Sequence, residues 1–204
     1  MLYITRRHSG KMQGLWSLNS SVVMNEFCKK MAKTDSICSK CYGKKLEAFR
    51  KKDKTIPYSV SWYKNGIELS CAPLTKIPKF RKAKVVRFHS VGELINRQHL
   101  ENFAAIARAN KETLFSIWTK RKNLFRNFVK PENMILIYSE PKINKEHKKA
   151  PKGFNKVFTV YNKKFAKENN IEINCEQKCV TCMKCYSHNN IQVINELMKK
   201  EKSA

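Results

Sequence analysis

The stretch NCEQKCVTCMKCY, Asn174 to Tyr186, carries four of the chain's eight cysteines. Cys175, Cys179, Cys182 and Cys185 follow one another at x3, x2 and x2 spacing. Thiolates at such intervals are soft ligands for zinc or iron–sulfur clusters. Structural zinc normally draws paired thiolates from two knuckles separated by a longer loop, because a tetrahedral ion needs ligands from opposing directions, and this run has no such spacer. An iron–sulfur cube is larger, and a C-x2-C-x2-C turn can place three thiolates on three of its iron corners. In the related C-x2-C-x2-C-x3-C run of ferredoxins the fourth cysteine serves another cluster; here the x3 gap comes first. Near the other end, Cys28-x9-Cys38-x2-Cys41 supplies three ligands and lacks one, and Cys71 stands alone.

One [4Fe–4S] cluster on Cys28, Cys38, Cys41 and a tail cysteine would tie the two ends of the chain together, and the other three tail cysteines with Cys71 would hold a second. One or two clusters are therefore expected. The alternatives are zinc, with Cys38, Cys41, Cys182 and Cys185 as a four-thiolate site, and disulfides. A single cysteine beside Ala-Pro, as Cys71 is, also reads as a small buried hydrophobe. The opening MLYITRRHSGKMQG has basic residues where an export signal needs an apolar stretch. Reduced thiols and a cytoplasmic location are the expectation.

A second set of polar residues falls at the ends of apolar runs. VVRFHSVGEL carries Arg87, His89, Ser90 and Glu93, the next run ends in Trp118, Thr119, Lys120 and Arg121, and a third in Tyr138, Ser139 and Glu140. Strand alternation would put Arg87 and His89 on one side. Open α/β sheets place ligands at the carboxyl ends of their strands, so Arg87, His89, Glu93, Thr119 and Lys120 are candidate catalytic residues on a pocket rim. Bland readings exist for each: a surface arginine, a core histidine, an N-cap serine, ordinary packing for Trp118. No phosphate loop, dinucleotide fingerprint, HExxH or nucleophile elbow occurs, and no acidic cluster suits two-metal nuclease chemistry.

The elements that must hold these groups read as α/β. LYITRR and LWSLN suggest short strands about a glycine-containing turn. The cysteine loop and a basic helical stretch, KKLEAFRKKDK, follow; YSVSWYKNGIELS fits a helix or a hairpin. From Lys84 the alternation is plain: strand VVRFHS, helix LINRQHLENFAAIARAN with Leu100, Phe103, Ala104 and Ala107 on one face, strand TLFSIWTK, short helix KNLFRNFV, then strands MILIYS and KVFTVY. Helical FAKENN follows, and IQVINELMKKEK reads as a closing helix. Continuous apolar strands separated by helices imply a mostly parallel sheet or an incomplete barrel. One domain over residues 1–204 is expected, with cysteine-rich, metal-binding elements at 28–41 and 175–185 brought together around metal clusters.

The charge balance, 42 Lys+Arg against 16 Asp+Glu, gives a formal net charge of +26. Such self-repulsion points to polyanionic partners, DNA or RNA ahead of a membrane surface, since no apolar span or basic amphipathic helix is evident. A Lys-rich composition drift is the bland reading. Candidate phosphate contacts are Lys44, Lys45, Arg50, Lys51, Lys52, Lys79, Arg81, Lys82, Arg121, Lys122, Arg126, Lys148, Lys149 and Lys152. Phe49, Phe80, Phe125, Phe128, Phe154 and Phe158 lie in or beside these basic segments and would stack on bases if exposed.

CSKCYG, VRFHSVGE, IWTK and CEQKCVTCMKCY together resemble the phage-associated gene product 88 family, over roughly residues 15 to 186. The matching residues are Cys38, Cys41, Tyr42, Arg87, His89, Gly92, Glu93, Thr119, Lys120 and the four tail cysteines. The arrangement also resembles, more distantly, radical S-adenosylmethionine enzymes, which implies a three-cysteine cluster and a partial α/β barrel. The chain departs from their usual C-x3-C-x2-C loop in its nine-residue first gap. The leading expectation is an iron–sulfur, nucleic-acid-binding protein of a phage or mobile element, its clusters mainly structural. An iron–sulfur redox or radical enzyme, and a zinc-stabilised protein that binds a host protein, are the alternatives. An iron left without a cysteine ligand would favour the enzyme.

Overall fold

The computed structural model describes residues 1–6, 10–49 and 57–198. Its centre is a sheet of seven strands in chain order: β1 (Ile4–Arg6), β2 (Trp16–Leu18), β3 (Val85–Phe88), β4 (Leu114–Thr119), β5 (Met134–Ser139), β6 (Lys156–Tyr161) and β7 (Val193–Leu197). The first pair is antiparallel and all later pairs are parallel. β1 and β7 are the two edges. The expected mostly parallel α/β sheet is present.

Chain-order neighbours with right-handed crossovers put the connecting helices on one face. That face is closed mainly by α4 (Arg97–Arg108), which follows α1 (Glu26–Met31), α2 (Tyr42–Phe49) and α3 (Tyr58–Cys71) in the chain. Leu100, Phe103, Ile106 and Ala107 of α4 pack on Val86 and Phe88 of β3, Phe115 and Ile117 of β4, and Met134 and Leu136 of β5. Phe88 stacks on Phe103 with ring centroids 4.0 Å apart. The ambiguous segment about Asn65-Gly66 is helical, within α3. Asn65 is buried there, donating to the carbonyls of Tyr3 and Asn19 and accepting from the Tyr3 amide, so it joins the helix to both of the first strands.

The opposite face carries the other strand residues: Val85, Trp118, Ile135 and Ile137. The α4 layer does not reach that side, which needs another cover. Met12 and Leu15 from the turn between β1 and β2 supply part of it. Tyr186, Cys179, Met183 and Cys185 of the cysteine-rich segment, which includes the short helix α6 (Cys179–Cys182) beyond α5 (Lys163–Glu168), supply the rest.

Two expectations are corrected. The closing helix is instead β7: Ile194 and Glu196 are buried while Val193, Asn195 and Leu197 are half-buried, the period-2 pattern of a strand, and pairing with β6 fixes it. The short helix after β4 is a single 3-10 turn, Lys122–Phe125. No helix among the described residues is long and apolar enough to cross a membrane.

Candidate metal centre at the sheet mouth

The chain leaves β2 through a buried polar run, Asn19, Ser20 and Ser21. Asn19 Oδ1 accepts from Ser90 Oγ (2.8 Å) and the Val91 amide (3.1 Å), stitching the ends of β2 and β3 together. The same ends meet at Gly92, which has φ +106° and would, with a Cβ, approach the Ser20 carbonyl oxygen to 2.5 Å. Next comes Asn25, also buried. Its side-chain oxygen caps α1 by accepting from the Phe27 and Cys28 amides, and its amide group donates to the Glu93 carbonyl at 2.9 Å. One side chain thus fixes the helix that carries Cys28 to the loop that carries Glu93.

Cys38 and Cys41 belong to a 3-10 turn, Ile37–Lys40 and its cap, opened by Ser36 Oγ accepting from the Cys38 amide. The Ile37 amide donates to the Pro141 carbonyl at 2.8 Å, so the turn lies over the end of β5. Cys28 and Cys41 pack against one buried apolar cluster, Val22, Trp62 and Val91. Cys38 is close enough for its charge to act on Cys28. The three cysteines separated by x9 and x2 are gathered at the carboxyl ends of β2 to β5.

Glu93 is the buried carboxylate of this mouth. Thr119 Oγ1 (2.6 Å) and the Leu94 amide (2.9 Å) donate to Oε1, and the Lys120 amide (2.8 Å) donates to Oε2. Burial raises its pKa, against the opposing pull of Lys120 and these hydrogen bonds. Burial likewise pushes the Cys28 thiol up, with Glu93, Cys38 and Cys41 adding to it. Burial raises Cys38 too, offset by Lys120. Glu93, Thr119 and Lys120 therefore stand beside the cysteine trio.

Arg87 and His89 do not share a side. His89 has φ +59°, and that left-handed residue breaks the strand alternation. Its ring turns to the helical face, 5.0 Å from both His99 and Phe103, with Nε2 3.2 Å from Ser20 Oγ and Nδ1 buried without a partner. Arg87 faces the opposite side. Its guanidinium lies 3.7 Å over the Trp118 ring, and it donates to the His89 carbonyl and Met12 Sδ. Burial pulls its pKa down, while Tyr186, Tyr42 and Cys179 more than offset this.

The tail cysteines form their own group. Cys185 senses Cys175, Cys179 and Cys182, and burial pushes its thiol up to about 12. The sequence pairing of one tail cysteine with the first trio, and of Cys71 with the other three, is not what the fold arranges. Cys71 is exposed at the end of α3, where Asn102 of α4 donates to the carbonyls on either side of it, Leu69 and Ala72. All eight cysteines are free thiols. Among the described residues, no three His, Cys, Asp or Glu side chains converge closely enough to hold a single metal ion.

Of the candidate phosphate contacts, Lys44, Lys45, Lys79, Arg81, Lys82, Lys122, Arg126, Lys148, Lys149 and Lys152 are exposed; Arg50, Lys51 and Lys52 lie outside the described residues. Arg121 is turned inward, donating to the Leu94 and Ile95 carbonyls. The neighbouring phenylalanines are committed to packing. Phe80 is buried, Phe125 packs on Phe128 and Phe154, and Phe158 lies against the Trp118 cluster; the side chain of Phe49 is outside the described part. A cavity of about 500 Å³ is lined by Ile135, Asn155, Lys156, residues 187–190 and Gln192, and another of about 330 Å³ by Met1, Tyr3, Lys64, Ile67 and Glu68. Neither is lined by the candidate catalytic residues. Asn25 escaped the sequence reading, although an Asn directly before the helical run EFCKKM is an N-cap signal.

Fold and site together define a largely parallel α/β protein with a cysteine trio, a buried glutamate and a lysine gathered where its strands end. The chain belongs to the Gene product 88 family, whose model matches residues 4–204. No curated protein and no solved structure matches it.

Proposed function

We propose that this chain is an iron–sulfur enzyme, with a [4Fe–4S] cluster on Cys28, Cys38 and Cys41 and a nucleic acid as its macromolecular substrate. The observation that carries the reading is the separation of the cysteines. Cys28 and Cys41 share the Val22–Trp62–Val91 cluster at the mouth with Cys38 beside them, while Cys179 and Cys185 pack on the opposite face with Cys175 and Cys182 near them. A cube held by three thiolates keeps one iron open to a small ligand. The donor set fits such a group: three half-buried thiols on a turn and a helix that are both pinned to strand ends. Ligation replaces the protons that burial keeps on Cys28 and Cys38.

The distant resemblance to radical S-adenosylmethionine enzymes makes that sulfonium compound the co-substrate to try first. When bound, such a cluster would supply one electron to the sulfonium, after its own reduction by an external one-electron donor. The chain's own residues do the positioning. Glu93, pinned by Thr119 and Lys120, holds a carboxylate beside the trio for an amino group, and Asn25 keeps that carboxylate in register with Cys28. The nucleic-acid part of the reading is favoured by where the cations hang. Lys44 and Lys45 follow the cysteine turn and Lys122 follows β4, so these exposed lysines stand on connections leaving the mouth.

Anaerobically purified protein is the material for the test. The expected result is iron and acid-labile sulfide on the trio, with an electron paramagnetic resonance signal of the reduced cluster that changes when S-adenosylmethionine is added and is lost in Cys38→Ala. A signal indifferent to S-adenosylmethionine would remove the co-substrate, and metal content unchanged in Cys28→Ala, Cys38→Ala and Cys41→Ala would remove the site.

A further inference from the structure

Cys175, Cys179, Cys182 and Cys185 sit in a segment held at three separate places. The Cys175 amide donates to the Asn195 carbonyl of β7, and the Cys179 amide donates to the Lys11 carbonyl of the first turn. Ser116 Oγ, midway along β4, donates to the Cys185 carbonyl at 2.6 Å. Between these anchors the chain reverses twice through left-handed residues, Gln177 (φ +57°) and Met183 (φ +51°). Each reversal falls between two of the cysteines, so the segment curls around a centre instead of continuing as a helix. All four sulfurs are half-buried, and Cys179 and Cys185 rest on the apolar layer of Trp118 and Tyr186.

The charges around this segment are uneven. Lys11 is paired with Glu196 at 2.6 Å and Lys184 with Glu176 at 2.8 Å. Arg87, inside the sheet face, has an aromatic ring, a carbonyl and a thioether as neighbours in place of a carboxylate. A charge withdrawn from water without an opposite charge is costly. A four-thiolate iron–sulfur cluster carries net negative charge and would supply the missing counterion. Zinc is the poorer fit, because 2.3 Å Zn–S bonds require sulfurs about 3.8 Å apart and this run has no spacer to bring them round one ion.

We infer that the four tail cysteines are the complete ligand set of a second [4Fe–4S] cluster, independent of the mouth, with the half-buried Arg87 as its counterion. Cys71 takes no part in either site. This assignment does not rest on the trio being a cluster. Every iron of the tail cluster has a protein ligand, so its role is electron storage or structural closure of the uncovered sheet face, not substrate binding.

The test uses the full chain, made anaerobically with iron and sulfide in excess. Cys28→Ala/Cys38→Ala/Cys41→Ala should retain about four irons and four sulfides per chain. Cys182→Ala/Cys185→Ala should lose that portion, and Cys71→Ala should lose nothing. In the trio-deleted background, Arg87→Met should lower the reduction potential of the remaining cluster and Arg87→Lys should restore it. A trio-deleted protein that keeps the native circular dichroism but holds zinc or no metal would overturn the inference. Where the wild type holds about eight irons, loss of all iron from a folded Cys182→Ala/Cys185→Ala chain would overturn it too, because that would mean shared ligation. Should the trio-deleted chain fail to fold, the single Cys38→Ala variant decides: retention of about half the wild-type iron supports two sites, and loss of all of it overturns them. Wild-type protein with only the tail portion of iron would sink the mouth reading and leave this one standing.

Discussion

Asn25 is the residue on which the mouth turns, since its two ends serve two different elements. Its oxygen caps α1, a contribution of about 1 kcal/mol; its amide satisfies the Glu93 carbonyl, and stranding that group costs about 1–3 kcal/mol. Asn25→Ala should therefore lose about 2–4 kcal/mol in denaturant unfolding and reduce iron uptake at the trio, whereas Asn25→Asp, which can still cap, should recover the first part only. Gly92→Ala is the harsher change. Its Cβ would stand 2.5 Å from a backbone oxygen at a φ of +106°, and a loss of about 3 kcal/mol or more is expected by the same measurement. The sequence shows Gly92 and Glu93 as a pair worth attention. It does not show that the neighbour crowding Gly92 is Ser20, because nothing in local spacing reveals which strand ends touch. His89 illustrates the converse: alternation is a sound rule for a regular strand, and one left-handed residue is enough to send the side chain to the other face.

At the scale of elements, α4 and β3 enclose two neutral histidines, and this has a definite pH signature. Burial lowers His99 to about 3, and burial, then His99 and Arg87, hold His89 well below its usual value. Both are protonated in the unfolded chain below about pH 6.5 but stay neutral in the folded one. The unfolded state then binds more protons, so stability rises with pH and is lost as pH falls from 6.5. Each histidine contributes a slope of up to about 1.4 kcal/mol per pH unit. His99→Leu should flatten the dependence of unfolding free energy between pH 6.5 and 5 by up to one such slope; an unchanged slope would mean the ring is not buried neutral. Helical periodicity on Leu100, Phe103, Ala104 and Ala107 made α4 legible in advance. β7 was not, because VINEL satisfies either period over so few residues, and only the unpaired edge of β6 decides between them. The cysteine grouping was hidden for the same reason: spacing marks which cysteines are close in the chain, while sheet topology decides which of them meet in space.

For the molecule as a whole the charge excess sets a partner problem. Even if every carboxylate took one base, 26 basic side chains would remain. Inward turns such as Arg121 absorb few of them. Topology keeps two sets of the exposed ones apart: Lys44, Lys45 and Lys122 after strand ends at the mouth, and Lys79, Arg81 and Lys82 just ahead of β3, at the other end of the sheet. If a nucleic acid is the substrate, the first set should govern binding. Counterion release makes such binding salt-dependent, and six to ten phosphate contacts cost a factor of about 10³–10⁵ in affinity between 50 and 200 mM salt. Fluorescence anisotropy with a labelled single strand should show that steepness. Lys44→Glu/Lys45→Glu/Lys122→Glu should weaken binding and reduce the salt slope by about three, while Lys79→Glu/Arg81→Glu/Lys82→Glu should do much less. Equal losses from both sets would mean a general attraction with no footprint, consistent with a lysine-rich composition and not with a substrate. A loss confined to the mouth would place the polyanion over Cys28, Cys38, Cys41 and Glu93, where one-electron chemistry could reach it.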